Sequence, residues 1–218
     1  EYIFKTQWLY AGNTAQISKA GDYFLYHLQN DSIIVIRGND GEVYAHYNTC
    51  RHRGSPICLY ESGHEAKLIC PYHQWVYDKD GSLLNARMMP DDFDKEPYGL
   101  HSAHVQVVEG LIFICLAEIP PAFSAIKKSM APYVRPYKIS DAKVACKKNY
   151  ILRTNWKLVA ESFRECYHCG GAHPEYCSAV IGASLKEDTH ELTESKQKDW
   201  QVKGLATELV EVIENTTT

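Results

Sequence analysis

The chain has 218 residues, 45% of them apolar, enough for a sizeable core in one large domain or two smaller ones. Its formal charge of −4 and its scattered 23 basic residues offer no cationic stripe for nucleic acid. No stretch approaches the roughly 18 apolar residues of a membrane span, and no basic-then-apolar leader opens the sequence, so a soluble, cytoplasmic protein is expected. Eight cysteines is an even number, but without an export signal they read as metal ligands or reduced thiols rather than a disulfide framework.

From residue 7 to residue 117, short runs rich in Tyr, Val, Ile and Phe alternate with Gly, Asn and Asp, which predicts strands. Residues 32–37 and 43–48 flank the turn Gly38-Asn39-Asp40-Gly41. Residues 75–77 lead into a second turn at Asp78-Lys79-Asp80-Gly81, and residues 105–108 and 111–116 hinge at Glu109-Gly110. Between the strand candidates lie two metal-ligand pairs, Cys50-Arg51-His52 and Cys70-Pro71-Tyr72-His73, with 17 residues between His52 and Cys70. Gly54 and Pro56 follow the first pair and Pro71 sits inside the second, so both fall on tight loops whose side chains can converge. One Cys and one His from each of two loops suit a [2Fe–2S] centre in which two thiolates hold one iron and two neutral imidazoles the other. Tetrahedral zinc on the same four residues is the alternative, and buried thiols beside unrelated surface histidines the blander one. Cys58, between the pairs, fits no ligand position and reads as a buried thiol.

Composition changes at Ile119-Pro120-Pro121, and Lys127, Lys128, Pro132 and Pro136 then punctuate an irregular stretch, so residues 119–136 read as a linker. A strand is expected over residues 143–153, a helix over 155–169, and a more polar helix over 195–215. On the first helix Trp156, Val159 and Phe163 make an apolar side, and Thr154 or Asn155 can cap its start. Glu161, Glu165 and His168 stand at i, i+4 and i+7 and share one face. An unbroken helix would point His173 about 140° away from His168. Gly170-Gly171 are expected to break it, and Pro174 discourages more helix, so His173 can turn back beside His168. Two histidines near a carboxylate suit a non-haem iron that keeps positions open for O₂. Surface histidines, or a redox pair of Cys166 and Cys169, are the competing readings.

The segments Cys50-Arg51-His52-Arg53-Gly54 and Cys70-Pro71-Tyr72-His73-Gln74-Trp75 resemble the Rieske domain. Followed by Asn155-Trp156-Lys157, Glu161, Glu165-Cys166-Tyr167-His168 and His173-Pro174, they resemble the α subunit of Rieske non-haem iron oxygenases, the aromatic-ring-hydroxylating dioxygenase family. The resemblance implies an α+β protein: an antiparallel β Rieske domain over residues 1–118, the linker at 119–136, and the N-terminal part of an α/β, helix-grip-like catalytic domain over 137–218. It implies a [2Fe–2S] cluster on Cys50, His52, Cys70 and His73, with the imidazole edges facing the surface, and a mononuclear non-haem Fe(II) on His168 and His173. It also implies a head-to-tail homotrimer in which Glu165 bridges His168 to His73 of the next chain. The family's third iron ligand, a carboxylate, is expected beyond the end of this sequence, with most of the catalytic sheet; Asp188 and Asp199 are near by count but match no ligand position. The resemblance also implies that a usual N-terminal segment is missing.

The stretches Tyr72-His73-Gln74-Trp75-Val76-Tyr77-Asp78, Asp92-Phe93-Asp94-Lys95 and Arg164-Glu165-Cys166-Tyr167-His168-Cys169 look most like the glycine betaine and stachydrine demethylase branch. That implies O₂-dependent N-demethylation of a quaternary ammonium compound, with electrons from an NAD(P)H-dependent reductase or a ferredoxin. A ring-hydroxylating dioxygenase acting on an aromatic compound is the second reading. A Rieske ferredoxin, an electron carrier that needs only residues up to about 117, is the rival from another class.

Overall fold

The computed structural model describes residues 3–165, 167–179, 198, 201 and 202. The chain divides after Lys147 into two compact units.

The first unit is built from three antiparallel sheets. One contains β1 (Leu9–Asn13), β9 (His104–Val108) and β10 (Leu111–Cys115) in the order β1-β10-β9. The second runs β4-β3-β2-β5, where β2 is Asp22–Leu28, β3 Asp31–Arg37, β4 Val43–Tyr47 and β5 Ser62–His64. The third holds β6 (Leu68–Ile69), β7 (Val76–Tyr77) and β8 (Leu83–Asn85). The three turns read from the sequence each join a pair: β3 to β4, β7 to β8 and β9 to β10.

β3 explains how the sheets pack. Its run Ile33-Ile34-Val35-Ile36 is 0% exposed from end to end, because successive side chains enter two different cores. Ile33 and Val35 join Ile17, Phe24, Ile112 and Ile114, which bind the β1-β10-β9 sheet to the four-stranded sheet. Ile34 and Ile36 join Tyr23, Cys50, Cys70, Trp75 and Tyr77, the core beneath the two metal-ligand loops.

Residues 119–136, expected as a linker, contain a helix, α1 (Ser124–Val134), that belongs to the first unit. Phe123, Ile126 and Met130 recur at helical spacing and pack with Ala131 against Val108 and Phe113. Trp8 Nε1–H donates to the Pro121 carbonyl at 2.7 Å, which pins the entry to the helix. The prolines misdirect the sequence reading because Pro120 and Pro121 precede the helix, while Pro132 sits inside it and gives up one backbone hydrogen bond that the apolar packing outweighs. Residues 143–153, expected as a strand, form neither strand nor helix and are exposed. Among the described residues that run has no neighbouring strand to pair with. In the second unit lie α2 (Trp156–Arg164), α3 (Cys169–Ala172) and α4 (Pro174–Ala179). The polar helix expected over 195–215 falls almost entirely outside the described residues, as do Asp188 and Asp199. Among the described residues no helix is long and apolar enough to cross a membrane.

His46 ties β4 to the turn before β8. Its ring is 1% exposed; Nε2–H donates to the Lys79 carbonyl at 2.8 Å, so Nδ1 accepts from the Ser102 hydroxyl at 2.9 Å. Gly81 lies against it at φ +91, and a Cβ there would meet the ring at 2.7 Å. Burial holds the His46 pKa below the ordinary 6.5, and the bond to Lys79 opposes this only in part. Below that pH the unfolded chain takes up a proton that the folded chain resists, so the stabilisation is full above 6.5 and is lost as the pH falls. The thermal midpoint is therefore expected to drop from about pH 7 to about pH 5. His46→Gln should flatten that slope in a calorimetric pH series, and an unchanged slope would assign the acid sensitivity elsewhere.

Candidate metal centres

The two ligand loops share one backbone design. In the first, Cys50 N–H donates to the Ser55 carbonyl at 2.9 Å and Gly54 N–H returns to the Cys50 carbonyl at 2.9 Å. In the second, Cys70 N–H donates to the Trp75 carbonyl at 2.9 Å and Gln74 N–H returns to the Cys70 carbonyl at 3.0 Å. Each loop closes on a left-handed residue four positions after its cysteine, Gly54 at φ +75 and Gln74 at φ +60. Asn48 holds the first loop from beneath. Its Oδ1 accepts from the Ile57 and Cys58 N–H groups at 2.9 Å each, and its Nδ2 donates to the Cys58 carbonyl at 2.8 Å.

The loops bring the four expected cluster ligands together. His52 and His73 face each other with ring centroids 4.6 Å apart, and the Cys50 thiol lies against Cys70 in the buried core. Trp75 stacks on His52 at 4.9 Å. The Nδ1 atoms of both histidines are enclosed yet have no hydrogen-bond partner. An orphaned acceptor pair and a pair of buried thiols, one of each from either loop, make a donor set that fits a two-iron cluster. Burial, the neighbouring His73 and the Arg53 charge all push the His52 pKa down, favouring the neutral imidazole that metal ligation requires. Burial pushes the Cys50 thiol up, so its thiolate depends on a bound cation. Among the described residues no three His, Cys, Asp or Glu side chains gather as a single ion would need; a [2Fe–2S] cluster takes two ligands at each iron.

Two further contacts escaped the sequence reading. The Tyr77 hydroxyl oxygen accepts from Arg51 N–H at 3.1 Å and lies 3.2 Å from Cys50 Sγ, to which its O–H can donate. The Arg51 guanidinium donates to His101 Nε2 and to the Pro97 carbonyl, fastening the first loop to the segment before β9. Position was the available signal: Asn48 ends a hairpin two residues before the first cysteine, and Tyr77 follows the second histidine at strand alternation. Cys58 is buried as expected, its thiol pushed up to about 12 by that burial.

In the second unit Asn155 caps α2, its Oδ1 accepting from Lys157 N–H at 2.9 Å. The helix ends earlier than expected, at Arg164, because Glu165 is extended, with φ −99 and ψ 132. The Glu165 carboxylate accepts the His168 N–H at 3.1 Å and so starts a new turn in place of the old one. Glu161, Glu165 and His168 therefore do not share one unbroken helical face. Gly170-Gly171 lie inside α3, and the chain leaves helical geometry at His173, the residue that Pro174 restricts. His168 and His173 nonetheless meet, with ring centroids 5.6 Å apart at 79°. His168 Nδ1–H donates to Glu165 Oε2 at 2.9 Å, which leaves Nε2 as the basic nitrogen. That bond, first among its causes, holds the Glu165 carboxyl below the usual carboxylate range. The pair opens on a cleft of about 640 Å³ whose lining includes Leu158, Phe163, Glu165 and Glu175 but not Glu161. Cys166 lies outside the described residues, and Cys169 is buried.

Residues 7–106 match the family described as the Rieske [2Fe–2S] domain, so fold and site together define a Rieske iron–sulfur domain. Residues 139–206 match the ring hydroxylating alpha subunit (catalytic domain), and with both matches in this order the chain belongs to the α-subunit family of Rieske oxygenases. It is 40% identical over 206 residues to the glycine betaine monooxygenase oxygenase subunit of Chromohalobacter salexigens, covering 91% of this chain and 46% of that one. The corresponding subunit of Pseudomonas aeruginosa is 46% identical over 180 residues, or 82% of this chain and 42% of that one. The crystal structure of the quaternary ammonium Rieske monooxygenase CntA with L-carnitine aligns with a TM-score of 0.73 at 32% identity, over 82% of this chain and 52% of that one. The chain thus spans about half the length of the relatives it matches.

A hydrogen bond to a cluster thiolate favours the reduced, more negative state. Tyr77→Phe should lower the reduction potential of the loaded protein while leaving its Rieske electron paramagnetic resonance (EPR) line shape in place. An unchanged potential in protein-film voltammetry would remove Tyr77 from that role.

Proposed function

We propose that the chain is part of the terminal oxygenase component of a Rieske non-haem iron oxygenase that N-demethylates a quaternary ammonium compound such as a betaine. The observation that carries this reading is the presence in one chain of both donor sets. One is the enclosed Nδ1 pair of His52 and His73 with the buried thiols of Cys50 and Cys70 on the same two loops; the other is the Glu165-held His168 beside His173. Likeness to glycine betaine and carnitine monooxygenase subunits supports the substrate class. A ferredoxin reading leaves the His168 and His173 pair without a purpose.

Cys50, His52, Cys70 and His73 would hold the cluster, and His168 and His173 the mononuclear Fe(II), whose third, carboxylate ligand lies outside the described residues. When bound, these groups supply one-electron storage and O₂ activation, so that a substrate N-methyl group is hydroxylated and lost as formaldehyde. The protein's own part is positional. Glu165 keeps the Nδ1 proton of His168 in place and Nε2 free to ligate. In a homotrimer the same carboxylate would also meet His73 of a neighbouring copy and hold that imidazole's proton. Leu158 and Phe163, which line the same cleft, offer apolar surface for the substrate's methyl groups. Electrons come from an NAD(P)H-dependent reductase or ferredoxin, in the cytoplasm.

Anaerobically purified protein should be red-brown, hold about three irons, and give the low average g value of a Rieske centre after reduction. A colourless zinc protein would overturn the assignment. Glu165→Gln should keep both metals yet lose turnover roughly 10- to 100-fold, read as formaldehyde formed from glycine betaine; near-normal coupled turnover would remove the bridge.

A further inference from the structure

Among the described residues five buried side-chain polar atoms lack a hydrogen-bond partner, and four of them stand on the two ligand loops: Arg51 Nε, His52 Nδ1, His73 Nδ1 and Trp75 Nε1. The two imidazole nitrogens are acceptors, and iron accounts for both. The other two are donors, which a metal ion cannot satisfy. The Arg51 guanidinium is already held through Nη1 and Nη2 by His101 and the Pro97 carbonyl. The Trp75 indole has a single polar atom, an N–H that can only donate, and the residue is 2% exposed. Native folds seldom bury such a group without an acceptor, because its lost hydration is not recovered.

The surroundings of the ring narrow the choice of acceptor. Trp75 belongs to the second ligand loop, where its carbonyl accepts from Cys70 N–H at 2.9 Å. Its ring nevertheless lies on His52 of the first loop, nearly parallel at 9° with centroids 4.9 Å apart. Phe93 and Tyr98 meet the indole at steep angles, 63° and 83°, with centroids 5.9 and 5.8 Å away. It shares its core with Cys50, Cys70 and Tyr77. None of these neighbours accepts from Nε1, and an aromatic face would offer only a weak hydrogen bond. A bound cluster carries the acceptors that the protein lacks. In a [2Fe–2S] centre with two thiolates on one iron and two imidazoles on the other, the imidazole-bound iron is completed by the two bridging sulfides. A donor packed on His52 thus stands on the sulfide side of the centre, whereas Tyr77, beside Cys50 Sγ, stands on the thiolate side.

We propose that Trp75 Nε1–H donates to a bridging sulfide of the cluster and thereby raises its reduction potential. The proposal rests on the cluster assignment and is independent of the oxygenase reading. On reduction the cluster takes one electron from its donor and the sulfides gain negative charge, while the indole keeps its proton. The hydrogen bond strengthens, and the reduced state is favoured. Trp75 is then a positioning residue with three attachments: its backbone closes the Cys70 loop, its ring covers His52, and its N–H meets the sulfide.

The test separates the N–H from the ring. Site-specific replacement of Trp75 by benzothienylalanine exchanges the N–H for sulfur and keeps the bicyclic shape, whereas Trp75→Phe removes the N–H and part of the stack. In the cluster-loaded chain the benzothienyl variant should keep the Rieske EPR line shape and the thermal midpoint. Its equilibrium constant for one-electron reduction should fall about tenfold, equivalent to about 59 mV. Electron–nuclear double resonance of the dithionite-reduced protein, compared in H₂O and D₂O, should show one exchangeable proton coupling fewer in this variant than in the wild type. An unchanged potential with every exchangeable coupling retained would overturn the proposal. So would a potential that falls in Trp75→Phe but not in the benzothienyl variant, because stacking on His52 would then be what sets it. A wild-type chain that gives no Rieske signal would overturn the cluster assignment, and the proposal with it.

Discussion

The architecture of the first unit depends on one strand being apolar on both faces. Ile33 and Val35 look into one core while Ile34 and Ile36 look into the other, each fully buried side chain contributing about 1.5–3 kcal/mol. A strand with one wet face could hold the β1-β10-β9 sheet or support the ligand loops, but not both. Because β3 does both, the loops rest on a wall clamped from behind, and their side chains inherit its rigidity.

Rigidity alone would not aim the four proposed ligands. The aim comes from short polar contacts that close each loop on itself and then to its surroundings. Asn48 satisfies two N–H groups of the first loop and a carbonyl. Tyr77 joins Cys50 to the Arg51 backbone, and Arg51 reaches out to His101. Few acceptors are left over within this network, which makes the orphaned Nδ1 atoms of His52 and His73 conspicuous. Buried nitrogens without partners are costly unless something binds them, and the geometry leaves that to the proposed cluster.

The second unit solves a smaller problem with fewer parts. One carboxylate, Glu165, ends a helix, caps the next turn and fixes the tautomer of His168. A shared role of this kind couples the local backbone to the chemistry of the proposed iron ligand, so a change at Glu165 is felt in both.

Much of this was legible in the sequence, and the reason is local chemistry. The spacing of Cys50, His52, Cys70 and His73 on Gly- and Pro-marked loops, and the turns at residues 38–41, 78–81 and 109–110, depend on residues a few positions apart. So do the Asn155 cap and the restriction that Pro174 places on His173. Where distant partners decide, the sequence was silent or misleading. Residues 124–134 became a helix because Val108, Phe113 and Trp8 offered an apolar surface to cover, while residues 143–153 stayed irregular for want, among the described residues, of a neighbouring strand. Likewise α2 stopped at Arg164 because the Glu165 carboxylate found the His168 N–H, a hydrogen bond that helical periodicity does not encode. The roles of Asn48 and Tyr77 also required the tertiary structure, since each depends on a contact with a residue nine to 27 positions away.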